Sequence, residues 1–425
     1  MPQVVEPGLH AITYSRRHGT KTRGHRRRYF YKVDAQVDAE ATVPEQRHFA
    51  NVISTFRNYA QYTLSANNRR RKDIYTLPKA DQELLSQLGY KQKLDAADKA
   101  ILANADFLAK IVEDTQMFGD EADGEEGGNT SGEINPPHSL SRDEDLGSLP
   151  PNDSSGVVLL SYRRQVHLIV IPTRALILME RFRPAEFDMD KLRSTLKQFV
   201  RDWSEEGEAE RETCYKPIKE ALLQHFANVT PEERRKLRVL VPGAGLGRLA
   251  YDIAKLGFAC QGNEFSHYML LSSFFILNKT DGIKCHTFYP YVHSFSNAPN
   301  KASILQGVSI PDVSPSDLPA GSNFSLVAGD FEEIYGSESD PDEPQHGQWD
   351  AISTCFFIDT AKNIVNYLRI IHRILAPGGV WINLGPLLWH WENNTSNDPS
   401  VELDLEELKS LARRIGFEFS VRVSH

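Results

Sequence analysis

Hydrophobic positions along this chain recur with two different periods, and the change between them divides it. From Pro44, the residues Phe49, Val52, Ile53, Phe56, Tyr59 and Ala60 fall at steps of three and four. That spacing places them on one face of a helix. Similar steps run through 81–88 and 96–117, so 44–118 reads as an all-helical N-terminal region. The spacing returns over 187–203, where Leu192, Leu196, Phe199, Val200 and Trp203 share a side, and again over 214–226. From Arg238 the period shortens. Apolar runs at 238–242, 259–263, 284–288, 324–328, 349–355 and 379–385 read as strands, with helical segments between most of them. Such alternation implies a parallel sheet with helices on both faces. Ligands then sit beyond the carboxyl ends of the strands. Gly243, Glu264, Asp330 and Cys355 all fall at such ends.

Three stretches stand outside both periods. Residues 119–156 are acidic and rich in Gly, Ser, Asn and Pro. They hold too little apolar surface to offset the entropy of ordering, and read as a linker. Residues 157–182 are apolar in blocks but interrupted by Arg163, Arg164, Pro172, Arg174 and Arg181; two strands or a helix would both accommodate them. Together, 119–186 is expected to be an acidic linker with an atypical apolar insertion. Between Arg16 and Lys32 the chain gathers Arg17, Lys21, Arg23, Arg26, Arg27 and Arg28 as well. Residues 1–43 therefore read as a disordered basic tail, with a nuclear-import or RNA-touching arm as the second reading.

Composition narrows the function classes. A chain of 425 residues, 40% hydrophobic, can bury a large core and suggests two or three domains. A net charge of −9 argues against a nucleic-acid partner for the whole molecule. Cys214, Cys260, Cys285 and Cys355 show no paired metal spacing. They read as reduced thiols of a cytosolic protein, with no metal expected. With no signal peptide and no apolar stretch of membrane-spanning length, no membrane partner is expected.

The chemistry concentrates in Val239–Ala250. A short apolar run enters three alternating glycines, Gly243, Gly245 and Gly247, and a helical pattern follows. Glycines allow a sharp turn after a strand and a close backbone approach to a ligand, and Glu264 then stands where a ribose diol could be held. A pyrophosphate site wants a small third residue one position later, where Arg248 stands. The spacing instead suits S-adenosylmethionine, which has no phosphate.

Further along, the Asp330 carboxylate could accept an adenine amino proton while Phe331 stacks on the ring. Alternatively, the pair is a helix cap and a core aromatic. Asp359 could cap the segment it opens or grip a substrate. Leu375–Gly379 is a structural turn. Trp389, His390 and Trp391 suggest an exposed aromatic pocket for a small aromatic or cationic substrate, or a histidine packed between core indoles. Asn383-Leu384-Gly385-Pro386 lacks the Pro-Pro-aromatic continuation of enzymes that methylate amides or flipped bases.

The runs 241–250, 261–266, 328–331, 354–361 and 381–388, with Phe199–Gly207 and Arg47-His48-Phe49 upstream, closely resemble the carnosine N-methyltransferase family. The resemblance implies a class I methyltransferase-like, doubly wound sheet over 187–425, with the helical region before it. It implies transfer of a methyl group from S-adenosylmethionine to the imidazole of β-alanyl-histidine, or of related His-containing peptides. By resemblance, Gln198, Arg201, Gly243, Gly245, Glu264, Asp330, Phe331 and Cys355 bind the cofactor, and Asp359 and His390 meet the dipeptide. A homodimer and a cytoplasmic or also nuclear location are the accompanying expectations.

The family pattern continues past His425, so the last antiparallel strand is expected to be missing, with an unpaired edge and an opened pocket. The competing readings are a truncated isoform that binds cofactor without turnover, and an RNA or protein methyltransferase.

Overall fold

The computed structural model describes residues 12–16, 39–113, 159–162, 182–336 and 345–420. Most of the basic tail, the acidic linker with most of the apolar insertion, and residues 114–118 of the expected helical region lie outside the described residues.

The chain opens with strand β1 (Ile12–Arg16), then helices α1 (Ala39–Thr76), α2 (Lys79–Gln87) and α3 (Tyr90–Ile111). Strand β2 (Leu159–Tyr162) and helices α4 (Glu186–Trp203) and α5 (Glu208–His225) follow. The alternating part runs β3 (Arg238–Pro242), α6 (Arg248–Lys255), β4 (Ala259–Glu264), α7 (His267–Asn278), β5 (His286–Phe288), β6 (Val308–Ile310) and β7 (Phe324–Ala328). It closes with α8 (Phe331–Gly336), β8 (Trp349–Cys355), α9 (Ile364–Ile374), β9 (Leu375–Leu384), α10 (Leu405–Ile415) and β10 (Phe417–Ser420).

Eight strands make one sheet in the order β10-β1-β9-β8-β3-β4-β7-β2. From β9 to β2 every neighbouring pair is parallel. The order reverses at β3, which lies between β8 and β4. This is the parallel sheet with helices on both faces that the alternation implied, in the doubly wound, class I methyltransferase-like order that the resemblance implied, and the reversal puts a ligand crevice at the end of β3. No described helix is long and apolar enough to cross a membrane.

Side chains alternate across this sheet and feed two cores, one on each face. Val239, Val241, Ala351, Val380 and Ile382 join the cluster formed with α1, α3 and α4. Leu240, Ile352 and Trp381 join the cluster formed with α8, α9 and α10. Helix α4 carries Leu192, Leu196, Phe199 and Trp203 into the first core, each at 0% exposure. Each such side chain contributes roughly 1.5–3 kcal/mol by its removal from water. Asp188 accepts the Ala185 N–H at the start of α4 (2.9 Å), and Ser204 ends the helix in extended geometry. The helix is thereby fixed over the crest of the sheet.

Five expectations change here. The run 284–288 does form a strand, but outside the main sheet: β5 pairs antiparallel with β6 in a separate ribbon. A short apolar run signals a strand without saying what it pairs with. The strand at 379–385 begins earlier, at Leu375, because the Leu375–Gly379 turn already pairs with Trp349. The slot beside β9, expected to stand open, is filled. β1 lies there antiparallel to both β9 and β10, with Ile12 opposite Asn383 and Thr13 opposite Ser420. The segment 1–43 is thus not uniformly disordered: a strand forms at 12–16, and α1 begins at Ala39. Likewise the apolar block at 157–160 contributes to β2, which pairs along β7 at the far edge of the sheet.

Candidate functional site

The turn after β3 is built from backbone that only glycine adopts easily. Gly243, Gly245 and Gly247 have φ of 67°, 56° and 81°. At two of them the space is also closed: a Cβ on Gly243 would lie 2.7 Å from Cδ2 of Phe357, and one on Gly245 would lie 3.2 Å from Nε2 of Gln198. Glycine is therefore required both for the turn and for what packs on it.

Glu264, at the end of β4, clasps this turn. One carboxylate oxygen accepts the Gly245 N–H (2.9 Å); the other accepts the N–H groups of Phe265 and Ser266 (both 2.9 Å). Burial pushes its pKa up, and those three N–H groups oppose the shift by favouring the charged form. Three of the roughly four acceptor positions of a carboxylate are thus occupied, which leaves room for a ligand hydroxyl. The Glu264 carbonyl in turn accepts the Gly329 N–H (2.9 Å), and Asn263 holds the Gly329 carbonyl through Nδ2 (2.9 Å). Two adjacent strand ends are therefore locked, and Asp330 is placed beside the clasp.

Asp330 caps α8, its Oδ1 accepting the N–H groups of Glu332 and Glu333. A cleft of about 750 Å³ opens next to it, lined by Phe187, Lys191, Thr195, Phe265 and Ser266 together with Gly329 and Asp330. Phe331 does not face that cleft. Its ring is 3% exposed and packs edge-on against Phe357 (centroids 5.3 Å apart) and against Tyr367. Of the two readings the sequence left open for this ring, its packing is that of the core aromatic: in the first turn of a short helix on this face it joins the second core. Aromatic rings that do line the cleft include Phe187 and Phe265, the latter 69% exposed and immediately after Glu264. Its place next to the clasping acid was a signal that the periodicity reading passed over.

Gln198 reaches the glycine turn from α4, and it meets Arg201 at Asp202, whose carboxylate accepts from Gln198 Nε2 (3.0 Å) and Arg201 Nε (3.2 Å). Cys355 ends β8 half-buried on the same side of the fold. Burial pushes its thiol well above the ordinary range, so it is an inert apolar wall rather than a nucleophile.

Across the sheet crest from β4, the ends of β8 and β9 hold the remaining candidate residues. Phe356 N–H donates to the Leu384 carbonyl (2.9 Å), and Gly385 packs against the Phe356 backbone, where an added Cβ would lie 3.0 Å from its nitrogen. Asp359 follows, 3% exposed, with Oδ2 accepting the Leu388 N–H (3.2 Å). Its carbonyl accepts the His390 N–H (3.0 Å), so these two residues are brought together. Burial raises the Asp359 pKa, opposed by the Leu388 N–H and by His390. The tryptophans flanking His390 are half-buried and committed: Trp389 donates to the Leu403 carbonyl (3.1 Å) and Trp391 to the Thr360 carbonyl (3.0 Å). His390 itself is exposed.

Residues 179–425 match the family model described as carnosine N-methyltransferase. The carnosine N-methyltransferase of Mus musculus is 42% identical over 382 residues, 89% of this chain and 79% of that one. The Dictyostelium discoideum enzyme of that name is 36% identical over 381 residues, covering 88% and 70%. In Drosophila melanogaster, carnosine N-methyltransferase unmet is 33% identical over 390 residues, covering 91% and 76%. The match takes in the glycine turn, the Glu264 clasp, Asp359 and His390 alike, and the chain belongs to the carnosine N-methyltransferase family.

Proposed function

We propose that this methyltransferase moves the methyl group of S-adenosylmethionine to the imidazole of β-alanyl-histidine, giving the N-methylated dipeptide. The observation that carries the reading is the Glu264 clasp on a glycine turn, lying inside the span matched to the family. The residues present fit the donor. The crowding at Gly243 and Gly245 leaves a backbone-walled floor, Glu264 keeps an acceptor position for a ribose hydroxyl, and the second oxygen of Asp330 stays available to an adenine amino group. Phe265 offers the stacking face and Arg201 a cation for the donor carboxylate.

The donor supplies an electrophilic sulfonium methyl. The chain has to present a neutral imidazole nitrogen to it in line. An ordinary imidazole, with a pKa near 6.5, is mostly neutral at pH 7, so no strong base is needed. The work is orientation, which can lower a barrier by several kcal/mol. Asp359 holds the acceptor through its imidazole N–H or its ammonium group, and His390 steadies the dipeptide at the mouth. Cys355 closes the wall against water.

Purified protein incubated with S-adenosylmethionine and β-alanyl-histidine should yield the dipeptide heavier by one methyl, detected by mass spectrometry, with fragmentation locating it on the ring. Donor binding without any methylated dipeptide would overturn the assignment.

A further inference from the structure

Asp202 has no role in the reading above, and the structure places it at the junction of helices α4, α5 and α6. Its side chain is 1% exposed. Oδ2 accepts from Gln198 Nε2, and Oδ1 accepts from Arg201 Nε and from the Tyr215 hydroxyl (2.7 Å). Burial and the Asp202 charge together push the Tyr215 phenol well above its ordinary value, so it stays a donor. The Asp202 carbonyl accepts from Arg248 NH1 (2.8 Å), and Arg248 also pairs with Asp312 (2.6 Å) and Asp252 (2.9 Å). Helices α4, α5 and α6 therefore converge on one residue, with the 312 loop tied in through Arg248. A Cβ on Gly245 would lie 3.8 Å from Asp202 Oδ2, so the hub sits on the middle glycine of the turn.

A carboxylate this deeply buried is a poor way to gain stability, because desolvation consumes most of the Coulombic return. What it does provide is orientation. Asp202 takes the N–H side of the Gln198 amide, which leaves the amide oxygen free to point at a ligand. It takes Nε of Arg201, which leaves both terminal amino groups for a carboxylate. We infer that Asp202 is a positioning residue that presets Gln198 and Arg201 over Gly245 for the zwitterionic aminoacid end of the methyl donor. The inference rests on the donor reading of the glycine turn.

Calorimetric titration with S-adenosylhomocysteine tests it without an acceptor. The wild-type protein should bind; absence of binding there would remove the donor reading itself, not only the role of Asp202. In a wild type that binds, Asp202→Asn should weaken binding by about tenfold or more, the scale of a lost charge-assisted contact. Circular dichroism should stay native, and turnover at saturating donor should stay within about threefold, so the loss appears in donor KM rather than kcat. If Asp202 works through Gln198 and Arg201, adding Asp202→Asn to a variant carrying Gln198→Ala and Arg201→Met should weaken binding no further. A folded Asp202→Asn that binds within about twofold of wild type, or a further loss when it is added to the Gln198→Ala, Arg201→Met variant, would overturn the inference. Should Asp202→Asn fail to fold, Tyr215→Phe removes only the anchor and leaves the charge. It should weaken binding by about threefold, and unchanged affinity would overturn the inference equally.

Discussion

On the β3–β4 side of the sheet crest, each polar group is held by several others. Glu264 accepts three backbone N–H groups, and Asp202 accepts two side chains and a phenol while its carbonyl takes an arginine. On the β8–β9 side, the Asp359 carboxylate accepts the Leu388 N–H, and His390 is attached through its backbone with its ring exposed. The first half is preorganised before any ligand arrives. The second is a shallow rim that needs its ligand to complete it. A methyl donor is common to many enzymes and an acceptor is not, so rigidity belongs where the ligand is invariant and adaptability where identity is chosen. The halves are joined by the β3–β8 ladder and meet again at the turn, where Phe357, two residues before Asp359, packs its ring on Gly243.

The largest effect should come from the rim. Asp359→Ala removes the buried acceptor and frees the Leu388 N–H, so both the grip on the dipeptide and the 385–391 loop loosen. Turnover should fall by about a hundredfold or more, the scale on which orientation operates. Donor affinity, measured by titration with S-adenosylhomocysteine, should be unchanged. A matching loss of donor affinity would mean that the two halves are one rigid unit joined through Phe357, and the contrast would collapse.

The mirror experiment is Glu264→Gln. The amide must aim its NH2 group at one of the backbone N–H donors that the carboxylate now satisfies. Leaving one buried donor unsatisfied costs about 1–3 kcal/mol, so donor affinity should drop by roughly tenfold to a hundredfold. Turnover at saturating donor should fall much less. Equal losses in KM and kcat would show that the clasp shapes the reacting geometry and not merely the donor seat.

The same contrast decides what was legible in the sequence. The glycine turn, Glu264 and α4 announce themselves locally, because turn chemistry and helical period are properties of adjacent residues. Asp202 is invisible at that level. It stands four residues after Gln198, but Tyr215 and Arg248 reach it only once α5 and α6 have packed. Phe331 misleads for a related reason: a phenylalanine after an aspartate can face a ligand or a core, and three aromatic neighbours decide it. β1 is hidden by its surroundings, since five residues beside a basic run carry no period strong enough to suggest that they fill a slot beside β9. In each case what could not be read is a pairing across long sequence separation.

Acidification should act on the scaffold of the donor half. Burial, with His48 adding to it, lowers the His267 pKa from 6.5 to about 4, and burial near Arg193 does the same to His293. Both folded values lie below the unfolded one. The stability these groups contribute is therefore complete above pH 6.5 and is lost as the pH falls from there toward 4, where the unfolded chain binds protons that the folded one refuses. A Tm lower by about 5 °C at pH 5 than at pH 7.5 is expected from a shift of this kind. His267→Asn, at a position lining the cleft beside Asp330, should flatten part of that dependence. An unchanged pH profile would place the acid-sensitive groups elsewhere.

The smallest effect should come from His390, and its smallness is informative. The ring is exposed, and the residue is positioned by a backbone bond that any side chain permits. His390→Ala therefore leaves the Asp359 carbonyl satisfied and the loop in place. It removes only a contact at the mouth, for which an exposed polar interaction of about 0.5–1.5 kcal/mol is the expected scale. Acceptor KM should rise by roughly threefold to tenfold, with kcat and donor affinity close to wild type. If kcat falls instead, the exposed ring closes over the acceptor in the reacting complex, and the rim is organised by substrate more tightly than its free state indicates.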